Sequence, residues 1–129
     1  MLFHTFNSQE ERRSHGGSAF IELQFCRLPA GTSVKKLVAA SSIHDWQNDS
    51  LYIEDEDTFF REYRTIFDCG IYNNGKSGPV DIFGINYYAP SLTDSLIEKL
   101  RQEQPEDYET LLQWLRKSKA YNGFYILGI

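Results

Sequence analysis

Apolar and polar residues alternate between Ala19 and Leu28, where Ile21, Leu23 and Phe25 are separated by Glu22 and Gln24. A period of two predicts a strand with one apolar and one wet face, and Pro29 and Gly31 end it. Val80 to Tyr88 carries Val80, Ile82, Phe83, Ile85, Tyr87 and Tyr88 on both parities, which predicts a strand covered on both faces and central in a sheet. Phe124 to Ile129 reads as an interior strand and Leu2 to Phe6 as a short first one. The polar stretch from Asn7 to Ser18, containing Gly16 and Gly17, reads as a mobile loop between two strands.

Elsewhere the spacing is helical. Val34, Leu37 and Val38 predict a short helix within Ser33 to Ser41. A longer one starts at Asp55, because carboxylates favour the free N–H groups and positive dipole end of a first turn. Phe59, Phe60, Tyr63, Ile66 and Phe67 then place large apolar groups on one face, before Cys69 and Gly70 close the helix. Ser91 and Asp94 start another, with Leu92, Leu96, Ile97 and Leu100 as its stripe. Pro105 ends it and opens the last, in which Tyr108, Leu111, Leu112 and Leu115 face inward and Arg116, Lys117 and Lys119 occupy the final turn. Turns are signalled at Asn73-Asn74-Gly75, Gly78-Pro79 and Asn122-Gly123. The interleaving predicts one α+β domain over residues 1–129, a mixed, mostly antiparallel sheet covered by about three to four helices.

Composition sharpens this picture in two respects. Aromatic residues make up 15% of the chain, which predicts a core built on Phe and Tyr. Thirteen Lys and Arg against 18 Asp and Glu give a net charge of −5, which repels nucleic acid and anionic membrane surfaces. The first residues lack a secretory apolar segment, so the expected location is cytoplasmic. Cys26 and Cys69 have no CxxC spacing and are expected as free thiols.

Candidate chemistry is sparse. Gly70 to Ser77 fits the phosphate-cradling pattern G-x-x-x-x-G-K-[ST], but a predicted helix precedes it and Gly78-Pro79 leads into a strand. A working phosphate loop needs the reverse order, with a helix N-terminus facing the phosphates, so a plain turn is expected. His4, His15 and His44 show no metal-ligand spacing, and no cofactor is implied. Asp81, in an apolar run, is expected to be desolvated and hydrogen-bonded. Asn86 and Tyr87 beside it, with His44 as a further candidate, define an alternative reading as a small enzyme or small-ligand-binding domain.

The segment from Asp45 to Asp68 carries eight acids against Arg61 and Arg64, interleaved with six aromatic residues. A negative field combined with large amphipathic rings suits a basic protein partner. The candidate contacts are Asp45, Trp46, Asp49, Tyr52, Glu54, Asp55, Glu56 and Asp57, with Trp46 and Tyr52 as the anchoring rings. In size, acidity and the segment LYIEDEDTFFREY, the chain resembles small acidic bacterial toxin-immunity proteins. That resemblance implies a cytoplasmic inhibitor without catalysis of its own, which blocks a cognate toxin such as a nuclease with a basic groove.

Overall fold

The structure, a computed structural model, describes residues 1–15 and 20–128. Its strands are β1 (Phe3–His4), β2 (Ile21–Phe25), β3 (Leu51–Ile53), β4 (Gly70–Tyr72), β5 (Ser77–Gly78), β6 (Ile85–Tyr88) and β7 (Phe124–Leu127). They form one sheet in the order β1-β3-β2-β7-β6-β4-β5, and every pairing among the described residues is antiparallel. Helices α1 (Gln9–Ser14), α2 (Val34–Leu37), α3 (Glu56–Tyr63), α4 (Thr93–Glu103) and α5 (Tyr108–Ser118) complete an α+β fold.

Alternating side chains send the strands' residues to opposite faces. On one face Ile21, Leu23, Phe25, Ile53, Tyr88, Phe124 and Ile126 meet the apolar sides of α3, α4 and α5 in the main core. Aromatic packing dominates there: Tyr88 stacks on Phe124 at 5.0 Å, and Phe67 meets the two rings edge-on at 5.3 and 6.3 Å. Each fully buried ring of this kind contributes about 2–3 kcal/mol through removal from water. Phe59, Tyr63, Ile66 and Phe67 are all buried, but α3 ends at Tyr63 instead of running to Cys69 and Gly70. Ile66 and Phe67 therefore enter the core from the turn that follows it, where both N–H groups donate to Tyr63 O, and Gly70 begins β4. Phe60, about 100° further round the helix than Phe59, is instead 36% exposed.

The second face is covered by shorter pieces. Leu37 and Val38 lie over Cys26, Tyr87 and Tyr125, while Phe6, Phe20 and Tyr52 form a separate cluster with Trp46 packed against it. Glu22 and Gln24 project to this side, and both are buried, at 6% and 0% exposure. The wet face predicted from their alternation is therefore enclosed.

Other expectations change as well. Gln9–Ser14 is helical where a loop is predicted: the Ser8 side chain accepts from Glu11 N at 3.0 Å, and the Glu11 carboxylate accepts from Asn7 N at 3.1 Å. That S-x-x-E signature is legible in the sequence as a helix start. The remainder of the predicted loop at residues 16–18, and the first residue of the strand predicted from Ala19, lie outside the described residues, as does Ile129. The strand predicted from Val80 begins only at Ile85. Residues 80–84 make a turn in which Gly84 N donates to Asp81 O at 3.3 Å.

The phosphate-loop match lies on the β4–β5 hairpin, where Gly70 faces Gly78, Ile71 faces Ser77, and Gly75 takes the left-handed φ of 86° that the turn requires. No helix N-terminus follows Lys76, so the feature that would hold phosphate is missing there.

Candidate functional site

The eight predicted contact residues fall on either side of β3. Its three residues carry the chain roughly 10 Å, so Asp45, Trp46 and Asp49 lie at one end and Glu54, Asp55, Glu56 and Asp57 at the other. One continuous segment of sequence thus becomes two surfaces.

A buried polar network holds the first group against β2. Gln24 donates to His44 O at 3.0 Å and accepts from His44 N at 3.2 Å, which pins that main chain at both groups. The Glu22 carboxylate accepts from Gln24 at 3.0 Å, from the Ser50 hydroxyl at 2.8 Å and from the Tyr52 hydroxyl at 3.4 Å. Burial raises the Glu22 pKa, and the bonds from Ser50 and Gln24 oppose that shift. The Tyr52 phenol is pushed up to about 12 by burial and then by the Glu22 carboxylate beside it.

This packing removes one predicted anchor. Tyr52 is 0% exposed and serves the interior, not a partner. Trp46 is half-buried against the Phe6–Phe20–Tyr52 cluster. Asp49 pairs with Arg27, and its main-chain carbonyl accepts from the Trp114 indole at 2.8 Å. Within this group Asp45 alone is a freely exposed carboxylate.

The second group surrounds the start of α3. Asp55 is its N-cap, accepting from Thr58 N at 3.0 Å and from the Thr58 hydroxyl at 2.7 Å. Those bonds hold its carboxyl below the ordinary range. Glu56 and Asp57 occupy the first turn, and Glu54 faces His15 with 3.6 Å between Oε2 and Nε2.

The fold brings further acids to the same helix. Tyr63 donates to Glu106 O at 2.6 Å, Glu106 N donates to Glu62 at 3.2 Å, and the Thr65 hydroxyl donates to Glu103 at 2.9 Å. Glu62, Glu103 and Glu106 therefore lie together on the flank of α3 that faces the α4–α5 connection, whereas Phe60, an exposed ring with Arg64 5.8 Å over it, stands one turn after Glu56 and Asp57. Sequence reasoning assigned Glu106 to a helix start and missed its place beside α3, because only the packing of the α4–α5 connection reveals it. No salt bridge engages Asp55, Glu56, Asp57, Glu62, Glu103 or Glu106 among the described residues.

The alternative pocket does not assemble. Asp81 is exposed, so the expected desolvation is absent. It lines a cavity of about 200 Å³ with Tyr72, Asn73 and Asn74, and neither Asn86 nor Tyr87 contributes to that wall. Asn86, 0% exposed, uses its amide on main-chain groups of Asp81 and Ile126. Tyr87 points to the opposite face and donates to Asn122 O at 2.7 Å. His44 is fixed through its backbone on the Gln24 side. Both cysteines are free thiols, as expected, with Cys26 Sγ 3.5 Å from the Tyr125 hydroxyl.

Fold and surface together define an α+β domain whose sheet is sealed on one side by three helices and whose α3 edge is acidic. No family model matches the chain, and neither a curated protein nor a solved structure matches it. Among the described residues, no helix is long and apolar enough to cross a membrane.

Proposed function

We propose that this chain is a protein-binding module whose α3 edge engages a basic protein, and most specifically a bacterial immunity-type inhibitor that neutralises a cognate toxin in the cytoplasm. The observation that carries this reading is the pair Glu56 and Asp57 in the first turn of α3, without a salt-bridge partner among the described residues and one turn before the exposed ring of Phe60 on the same helix. Unneutralised carboxylates attract a basic surface over distances comparable to the Debye length, and a neighbouring ring supplies the apolar contact that charge alone lacks. The helix itself is fixed by Phe59 and Tyr63 in the main core, so little ordering is required on binding.

The test must change charge without removing the cap of α3. Asp55→Asn with Glu56→Lys and Asp57→Lys retains a capping side chain and shifts the local charge by five. Against a purified basic partner, the expected result is association at least about tenfold slower at low salt, with a shallower salt dependence. Equal association rates for the parent and a folded triple variant would remove this surface from the mechanism.

A further inference from the structure

We infer that His4, His15 and Glu54 form a binding site for a divalent transition-metal ion of the zinc type, a property independent of the proposed partner. The imidazole nitrogens and carboxylate oxygen all lie within 4.8 Å of one another. Tetrahedral zinc with bonds of about 2.0–2.1 Å places its ligand atoms about 3.3 Å apart. The His15–Glu54 separation of 3.6 Å is already close to that value, and rotation of side chains over at most about 1.5 Å completes the set.

Three elements deliver these ligands independently. His4 pairs with Tyr52 across the β1–β3 ladder, and Glu54 is two residues beyond Tyr52, which makes it a diagonal neighbour on the same face. His15 ends α1, where its N–H donates to Arg12 O at 3.2 Å and its ring packs 5.2 Å from Phe6 and 6.4 Å from Phe20. The two imidazoles stand 5.3 Å apart and tilted by 50°, not stacked. An exposed His15–Glu54 pair accounts for two of the three groups, whereas a cation accounts for the second imidazole as well. The ligands come from distant parts of the sequence, so no motif spacing announces them.

Two imidazoles and one carboxylate suit zinc, cobalt or nickel, whereas magnesium and calcium require mainly oxygen donors. His15 and Glu54 are exposed, which leaves a fourth coordination position open to water. The bound ion would tie the end of α1 to the β1–β3 edge.

The decisive experiment is calorimetric titration of the purified full chain with zinc chloride, alongside visible absorption with cobalt(II). One ion per chain is expected, together with a cobalt spectrum of low coordination number. His15→Ala and the isosteric Glu54→Gln change exposed side chains, preserve Asp55, Glu56 and Asp57, and should each weaken binding at least about tenfold. His44→Ala should leave binding unchanged. Absence of stoichiometric binding in the parent, or unaltered affinity in metal-free-folded His15→Ala and Glu54→Gln, overturns the site. Neither result bears on the charge-reversal test, so the two proposals fail separately.

Discussion

Replacing Asn86 with Ala separates a structural asparagine from a ligand-binding one. Its carboxamide accepts from Asp81 N at 2.8 Å and donates to Asp81 O at 2.8 Å and Ile126 O at 2.9 Å. Net worth per bond is about 1 kcal/mol, and the buried Ile126 carbonyl would also be deprived of a donor, so the loss should be about 3 kcal/mol. With a urea slope of about 2 kcal/mol/M, the unfolding midpoint should fall by about 1.5 M. The control is Asp81→Ala, whose exposed side chain bonds only Phe83 N among the described residues and should cost less than about 1 kcal/mol. Equilibrium urea unfolding monitored by tryptophan fluorescence measures both. A midpoint shift under about 0.5 M for Asn86→Ala, or a larger effect from Asp81→Ala, would refute the assignment of Asn86 as the clamp of the 80–84 turn.

Burial raises the pKa of Glu22, so its contribution is fully present below the unfolded value and is lost as pH rises through the folded one. The unfolding free energy of the parent relative to Glu22→Gln should therefore fall as pH climbs above the ordinary 4.5, and a flat difference between pH 4 and 8 would contradict this. The Asp55 pKa is lowered, the opposite case: Asp55→Ala should drop Tm by a few degrees at neutral pH and Asp55→Asn by less, with the advantage of the parent over Asp55→Asn fading in acid. Gly123 has φ 79°, and an added Cβ would meet Tyr88 O at 2.1 Å, so Gly123→Ala should destabilise by at least about 2 kcal/mol in the same urea assay.

Long periodic segments were legible in the sequence; short pieces were not. The inward faces of α4 and α5, and the burial of Phe59 and Tyr63 on α3, follow from spacing alone because each helix presents a repeated stripe to one core. β3, β4 and β5 have two or three residues each, too few to display a period of two, and exist through pairing with distant partners. Glu22 and Gln24 show why alternation misleads in β2: residues 44–50 fold over that face, where His44 N and the Ser50 hydroxyl donate to these side chains and His44 O accepts from Gln24. The same blindness affected the candidate site. Tyr52 looked like an interface ring because its neighbours in sequence are acidic, yet β3 directs it inward while α3 directs Phe60 outward.

The two sheet faces are stabilised by different physics, and the two groups of acids are anchored accordingly. Under α3, α4 and α5 the contacts are apolar and extensive, and they hold α3 through the deeply buried Phe59 and Tyr63. On the other side, α1 buries no residue and α2 only Leu37, so the segment bearing Asp45 and Trp46 is held by the Glu22–Gln24–Ser50–Tyr52 hydrogen bonds and by Trp46 packed on the small Phe6–Phe20–Tyr52 cluster. Local opening requires less free energy where buried apolar contacts are few. A partner that grips α3 consequently meets a surface already ordered, whereas one that grips the Asp45 loop must first offset its loss of freedom. Charge and anchoring favour the same group: Asp49 is paired with Arg27 and Asp45 alone stands free on the loop, whereas Asp55, Glu56 and Asp57 have no salt bridge among the described residues and sit at the start of a helix held by the core.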